Sequence, residues 1–148
     1  MIEAKQITKV LGEKMVLRGI DLQIEQGEAV AFLGANGAGK STWLKIAAGL
    51  LKPTSGEILL YGKSRKTDDY EYQKQIGYLG HQSFLYDSLS PVENLTFFAK
   101  LYQLEQREKR IDQLITDVGL SLFKHEPVRT FSRGMIQRLA IARAILHK

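Results

Sequence analysis

Residues 28–50 read EAVAFLGANGAGKSTWLKIAAGL, which is the most informative stretch of the chain. Within it Gly34, Gly39, Lys40 and Ser41 match the pattern G-x-x-x-x-G-K-[ST], in which the backbone N–H groups of a glycine-rich loop bind phosphates. A random match in a chain of this length has a probability on the order of half a per cent. The stretch therefore predicts a phosphate-binding loop rather than a chance glycine turn.

The residues on either side of the loop agree with that interpretation. The apolar run Ala29–Leu33 predicts a short strand buried on both faces that leads into the glycines. Beyond the loop, a helix is predicted to begin near Lys40, with its positive N-terminal end facing the loop. Apolar groups that this helix can place against a sheet are Leu44, Ile46, Ala47 and Leu50.

Each residue type in the loop has a chemical reason. Glycines allow positive φ angles and let the backbone approach an oxyanion closely. Lys40 supplies a point charge to the β- and γ-phosphates, and the Ser41 hydroxyl is the natural Mg²⁺ ligand. The predicted nucleotide-binding residues of the loop are Gly34, Asn36, Gly37, Ala38, Gly39, Lys40, Ser41 and Thr42, the last one nearest the α-phosphate.

Composition sets broad limits on the remaining functions. The 148 residues carry a net charge of +5 and no cysteine, which excludes disulfide and thiol chemistry. Basic and acidic residues alternate along the chain, so a solvated face is favoured over a nucleic-acid patch. No apolar run approaches the roughly 18 residues of a membrane span, and no signal peptide precedes the first strand. We therefore expect a cytoplasmic protein that does not bind nucleic acid.

Patterns in the first half predict further β-structure. Ile20, Leu22 and Ile24 alternate with polar residues, which indicates a half-buried strand within antiparallel β-structure over residues 1–24. Ile58–Tyr61 reads as a strand that Gly62 turns, and the polar segment Lys63–Lys74 follows. Ile76–Leu79 is predicted to be another short strand, which ends just before Gln82.

Helical patterns dominate the second half. Ser90, Pro91 and Glu93 predict a capping box at the start of a helix that continues to Tyr102. Apolar residues spaced along 111–118 mark a second helix, which Gly119 stops. A last helix is predicted to start at an N-cap serine, Ser132, and its segment 136–146 is apolar nearly all round, so it should be buried.

Two further signals are weak when taken alone. A glutamine at the end of a strand, such as Gln82, is usually a solvated loop residue, although it could reach Mg²⁺ or an attacking water. Ser132 and Gly134 open a helix whose free N–H groups can bind an anion, but an ordinary N-cap explains them equally well.

Together these motifs resemble the nucleotide-binding domain of an ABC transporter. GANGAGKST, the strand-end Gln82 and the segment FSRGMIQRLAIARA carry the resemblance, and their order and spacing extend it over the whole chain. The family signature Leu-Ser-Gly-Gly-Gln followed by Gln-Arg is kept at Ser132, Gly134, Gln137 and Arg138 and altered at Phe131, Arg133 and Met135. The resemblance implies an α/β P-loop NTPase core with an N-terminal antiparallel β subdomain and an α-helical subdomain.

The resemblance also implies a division of the chain and roles for its residues. Residues 1–148 form one partial domain: a β subdomain with the P-loop core over 1–82, a helical subdomain over 83–131 and the signature helix over 132–148. Lys40 and Gln82 become the catalytic residues, ATP the substrate, and Ser41 and Gln82 the Mg²⁺ ligands. Ser132 and Gly134 bind the γ-phosphate of ATP held by a second ATP-binding subunit in a head-to-tail dimer.

The implied function is to power transport through transmembrane permease subunits, which hold the ATPase on the inner face of the cell membrane. The segment GYLGHQSFLYDSLSPVENLTFFAKLY is most similar to the ATPase subunit of haem exporters in cytochrome c biogenesis, a narrower resemblance. Alternatives are a soluble ABC ATPase that acts on ribosomes or DNA, and a small-molecule kinase, which the signature helix disfavours.

Three departures from the family pattern lead to specific expectations. Leu11 occupies the place of the aromatic residue that stacks on adenine, which favours weaker nucleotide affinity or looser base selectivity. Arg133 replaces a glycine and is a hypothetical extra cation near the second subunit's phosphate. Lys148 precedes the family's Mg²⁺-holding aspartate and general-base glutamate, so we expect the C-terminal part of the sheet to be missing and these 148 residues to bind nucleotide without appreciable ATPase activity.

Overall fold

A computed structural model describes residues 1–64 and 70–147 of the chain. The chain divides into two compact units, Met1–Ile76 and Gly77–Lys148, and each has its own hydrophobic core. The predicted internal boundaries after residues 82 and 131 stay predictions. Part of the predicted polar segment, at positions 65–69, and the last residue of the predicted signature helix lie outside the described residues.

The first unit contains a four-stranded sheet in the order β2-β1-β3-β4, and each neighbouring pair is antiparallel. Its strands are β1 (Ile2–Leu11), β2 (Lys14–Ile24), β3 (Ser55–Leu60) and β4 (Lys63–Ser64). Ile2 pairs with Ile24 across β1 and β2, and Ala4 pairs with Ile58 across β1 and β3. The antiparallel structure predicted for residues 1–24 is confirmed, because the alternating apolar residues of β2 are half-buried as their period-2 pattern requires.

Helix α1 (Lys40–Ala47) begins where the sequence predicted, and a short helix α2 (Tyr70–Gln73) follows the sheet. Trp43, Ile46 and Ala47 are the buried residues of α1. The expectation that Leu44 and Leu50 face a sheet is wrong, since their side chains are 43% and 53% exposed. The helix lasts only two turns, so Leu50 lies beyond its end and no longer follows the helical spacing.

Two predicted strands are absent from the described residues. Ala29–Leu33 and Ile76–Leu79 have no strand structure, and Leu33 is 92% exposed. A strand buried on both faces depends on ladder partners at both edges, and no described strand pairs with either run. An apolar run predicts burial of its side chains, but it does not supply the neighbouring strands that would make it part of a sheet.

The second unit is helical. It contains α3 (Pro91–Leu101), α4 (Arg107–Asp117) and α5 (Arg133–Ala144), with single 3₁₀ turns at Ser121–Phe123 and Val128–Thr130. The residues at the centre of its core are Leu95, Ala99, Ile111, Leu114, Ile115, Leu120, Val128, Phe131, Leu139, Ala142 and Leu146. The three helices and the N-cap of α5 are confirmed, whereas the burial predicted all round α5 fails at Ile141, which is 39% exposed.

Candidate functional site

The predicted phosphate loop lies directly before α1 and is exposed over residues 34–38. Gly34, Gly37 and Gly39 have φ angles of +149°, +82° and +91°, values at which a side chain would strain the backbone. The Ala38 N–H donates a hydrogen bond to the Ala35 carbonyl at 3.2 Å, which closes a turn at the tip of the loop. The glycines thus occupy positions that the loop conformation requires.

Gly39 fixes the base of the loop against strand β2. A Cβ atom at this position would lie 2.7 Å from Leu17 Cδ2 and 3.0 Å from the Val16 carbonyl oxygen. The first distance is shorter than carbon atoms tolerate, the second is tight, and Leu17 is itself buried in the first core. The absence of a side chain at Gly39 therefore lets the loop contact the sheet.

Lys40 bends back over its own loop. Its Nζ donates hydrogen bonds to the Gly34 carbonyl at 2.7 Å and to the Ala35 carbonyl at 2.8 Å. A lysine ammonium has three donors, so these two bonds leave one for another acceptor. The positive charge is held at the mouth of the loop, where a phosphate would replace or supplement the carbonyl oxygens.

The first turn of α1 is open to an anion. Its N-cap residue is Gly39, no side chain caps the helix, and no acidic residue lies in the first turn. The first amides of a helix have no partner within the helix, and they carry the positive end of its dipole. Ser41 is exposed and Thr42 half-buried in this turn, so the Ser41 hydroxyl is accessible as an oxygen ligand.

The other predicted site residues belong to the second unit. Gln82 lies in an irregular, exposed segment rather than at the end of a strand. The Ser132 hydroxyl accepts the Met135 N–H at 3.3 Å and caps α5, while Gly134 is exposed in its first turn. The ordinary N-cap role of Ser132 is therefore present, and its phosphate role stays a prediction. That Gln82 shares a Mg²⁺ with Ser41 also stays a prediction, because the two lie in different units.

The donor set suits Mg²⁺ better than a metal held by protein alone. Within residues 1–64 and 70–147 no group of three or more His, Cys, Asp or Glu side chains could hold a metal ion. Mg²⁺ typically takes one or two protein oxygens and completes its shell with water and substrate phosphates. An exposed serine hydroxyl beside a phosphate loop fits that pattern.

Comparison with known proteins decides the family. The sequence profile described as "ABC transporter" matches residues 17–148, which is most of the chain and includes the loop, Gln82 and the signature segment. The chain belongs to the ABC transporter family.

Curated relatives of this ABC domain are longer proteins. The chain is 38% identical over 148 residues to an uncharacterized ABC transporter ATP-binding protein, YcbN, of Bacillus subtilis (strain 168), covering 100% of this chain and 48% of that protein. It is 35% identical to the linearmycin resistance ATP-binding protein LnrL of the same organism, with 100% and 48% covered. It is 36% identical to the bacitracin transport ATP-binding protein BcrA of Bacillus licheniformis, with 99% and 48% covered. The chain spans about half the length of these relatives.

Solved structures agree with the fold of the ABC domain. An ATP-binding subunit of an ABC transporter superposes with a TM-score of 0.88 at 31% identity, covering 99% of this chain and 62% of that chain. The ATP-binding cassette MJ0796, solved as a dimer in a post-hydrolysis state with ADP and Pi, gives a TM-score of 0.84 at 32% identity, covering 99% and 70%. The predicted ABC ATPase fold is thereby confirmed. Among the described residues, no helix is both long and apolar enough to cross a membrane.

The sequence analysis overlooked one residue of the ABC domain, Arg143. It lies on α5 with its side chain 7% exposed, and its Nη2 donates to the Tyr78 carbonyl at 2.8 Å. Burial lowers the pKa of its guanidinium below the usual arginine value. The available signal was a single arginine inside the otherwise apolar run of residues 139–146, since an arginine is seldom buried without a specific partner.

Proposed function

We propose that this chain is the nucleotide-binding part of an ABC transporter ATPase, which binds MgATP and, in the whole protein, hydrolyses it to drive transport. The observation that carries the proposal is the loop of residues 34–39, exposed over 34–38, which precedes an uncapped helix and has the Lys40 ammonium bound to two of its carbonyls. Backbone amides, a helix N-terminus and one cation together form a site for a polyphosphate. Membership of the family supports ATP as the nucleotide.

In the proposed mechanism most of the rate enhancement comes from positioning the reactants and neutralising the phosphate charge. The first-turn amides of α1 hold the β-phosphate, and Lys40 exchanges its carbonyl partners in the loop for phosphate oxygens. The Ser41 hydroxyl would be a ligand of Mg²⁺, which would neutralise part of the phosphate charge. The role proposed for Gln82, carried over from the family resemblance, would be to position the attacking water.

A second copy of the ATPase subunit completes the proposed site. In this arrangement Ser132 and Gly134 contribute the first-turn amides of α5 to the γ-phosphate bound by the partner, and the two subunits close head to tail. The MJ0796 structure, a dimer with ADP and Pi, supports dimerisation by similarity. ATP binding closes the dimer and hydrolysis reopens it, and transmembrane subunits receive the movement at the inner face of the membrane.

The proposed direction of transport is export, with an antibiotic as the candidate cargo. Two relatives carry names that refer to linearmycin resistance and bacitracin transport. Both alignments include all or nearly all residues of this chain. The narrower resemblance to haem exporters gains no support from the relatives described above, none of which is named for haem. The rival function, a soluble ABC ATPase acting on ribosomes or DNA, differs in having no membrane partner.

The test is ATP turnover by the whole protein purified together with its membrane subunits. We expect Lys40→Ala to lower kcat by about 10²-fold or more, as losing one charge-stabilising donor does in other enzymes. Lys45→Ala is the matched control, because Lys45 lies on the same helix, is exposed and contacts no loop carbonyl in the described structure. Equal turnover in both variants would contradict the proposal, and purification with ribosomes instead of membrane subunits would favour the rival.

A further inference from the structure

Arg143 is the most deeply buried charged side chain of the described second unit, at 7% exposure. Its guanidinium lies over two aromatic rings, with Cζ 5.5 Å from the centroid of Phe84 and 5.4 Å from that of Phe98. Both distances fall within the range of a cation–π interaction, which is stronger where water is excluded. The side chain is thus in contact with two rings that come from different parts of the chain.

The same guanidinium also holds the segment that leads to Gln82. Its Nη2 donates to the Tyr78 carbonyl at 2.8 Å, and the Tyr78 and Phe84 rings are in contact at 6.5 Å between centroids. At the start of this segment, a Cβ atom on Gly77 would lie 2.2 Å from the Ala144 carbonyl oxygen, so the backbone of residue 77 touches the end of α5. Arg143 and its helix therefore contact both flanks of Gln82, at Tyr78 and at Phe84.

A contribution to folding stability does not by itself explain why an arginine occupies this buried position. Burial of a charge costs free energy, and an apolar side chain of similar volume often fills such a site with equal or better stability. Arg143 Nε has no hydrogen-bond partner among the described residues, so the group is not fully compensated. The planar guanidinium does provide what an apolar residue cannot, which is simultaneous stacking and a directed hydrogen bond to a backbone carbonyl.

We propose that Arg143 is a positioning residue that ties the Gln82 segment to the signature helix α5. Ser132, the N-cap of α5, and Gly134 in its first turn together form the signature turn, and Arg143 lies near the opposite end of the same helix. Since a helix moves as a rigid element, displacement of the segment 78–84 is passed through Arg143 to the signature turn. This inference rests on the proposed function, in which Gln82 and the signature turn both respond to the γ-phosphate.

The first experiment needs no ATP hydrolysis. Amide hydrogen exchange is measured in the whole protein and in Arg143→Lys, which keeps the charge and loses the planar stacking surface. We expect exchange of residues 78–85 to accelerate about tenfold, because the cation–π contacts and the carbonyl bond are weakened. Arg110→Lys is the matched control, since Arg110 bonds the Ile145 carbonyl at the end of α5 and has no described bond to the Gln82 segment.

The second experiment measures turnover in the same variants. We expect Arg143→Lys to lower kcat about tenfold with the KM for ATP changed less than about twofold, because a misplaced Gln82 slows chemistry without altering the phosphate loop. Phe84→Leu removes one ring at a position that is 46% exposed and so leaves folding intact. If Arg143 and Phe84 act through one contact, the double variant should have a kcat only slightly lower than that of Arg143→Lys alone.

The outcomes separate the two claims. Faster exchange confined to residues 78–85, with a selective loss of kcat and non-additive variants, supports the positioning role. Three results would overturn the positioning role, even if the wild-type protein hydrolyses ATP. They are an equal acceleration of hydrogen exchange in α3 and α4, an unchanged kcat in Arg143→Lys, and fully additive losses of kcat in the double variant. A wild-type protein that hydrolyses no ATP would contradict the proposed function, and the exchange experiment would still decide whether Arg143 holds the segment.

Discussion

Two adjacent residues, Gly39 and Lys40, shape the phosphate loop. Lys40 acts through its long side chain, and Gly39 acts because it has none. Lys40 donates hydrogen bonds to the carbonyls of Gly34 and Ala35, and this stabilises the loop. Gly39 allows the close approach to β2. The residue types at these two positions follow directly from the sequence motif, but the contact of Gly39 with Leu17 does not, because it depends on how β2 packs.

The contrast between Gly39 and Gly37 gives a prediction at the residue scale. Both have positive φ angles, but a Cβ atom on Gly37 would meet no heavy atom within 4 Å. Gly37→Ala should therefore lower the free energy of unfolding by the backbone strain alone, about 1–2 kcal/mol. Gly39→Ala should cost about 1–3 kcal/mol more, because it also forces Leu17 and the β2 backbone to move. Urea denaturation of the two variants measures the difference, and equal losses would contradict the packing role of Gly39.

At the scale of elements, helix ends were predicted well because their signals are local. The capping box at α3 is complete: the Ser90 hydroxyl accepts the Glu93 N–H at 3.3 Å, and a Glu93 carboxylate oxygen accepts the Ser90 N–H at 2.8 Å. By contrast, the strand predicted at Ala29–Leu33 needed partners that the described sheet does not provide. Within this run Phe32 packs against the first core and contacts Trp43, at 4.6 Å between ring centroids.

The capping box predicts a dependence of stability on pH. The hydrogen bond from the Ser90 backbone N–H, and then that with the Ser90 side chain, lowers the pKa of Glu93 in the folded chain. A lowered carboxylate pKa stabilises the fold at pH values above the unfolded pKa, and this stabilisation is lost as the pH falls through the folded pKa. We therefore expect the melting temperature of Glu93→Gln to fall less than that of the wild type as the pH is lowered from neutral to the acid range.

Glu105→Gln is the control for this measurement, because Glu105 is an exposed glutamate that lies outside the capping box. Thermal unfolding of the wild type and both variants at several pH values provides the comparison. An identical slope in Glu93→Gln and the wild type would show that the capping carboxylate does not contribute to acid sensitivity.

For the molecule as a whole, the sequence predicted the family, the order of the motifs and most of the described helices, because each depends on residues close together in the chain. It did not predict Arg143, whose partners Tyr78 and Phe84 are more than fifty residues away along the chain. The phosphate loop and the signature turn lie in different units. That the two act together in ATP hydrolysis remains a proposal.

The most direct measurement is a titration of the isotope-labelled chain with MgATP, followed residue by residue through amide NMR signals. We expect saturable shifts centred on the amides of residues 37–42, which disappear in Lys40→Ala and persist in Lys45→Ala. Saturable binding with no shifts in that loop, or binding that survives Lys40→Ala unchanged, would show that these amides and this lysine do not hold the triphosphate.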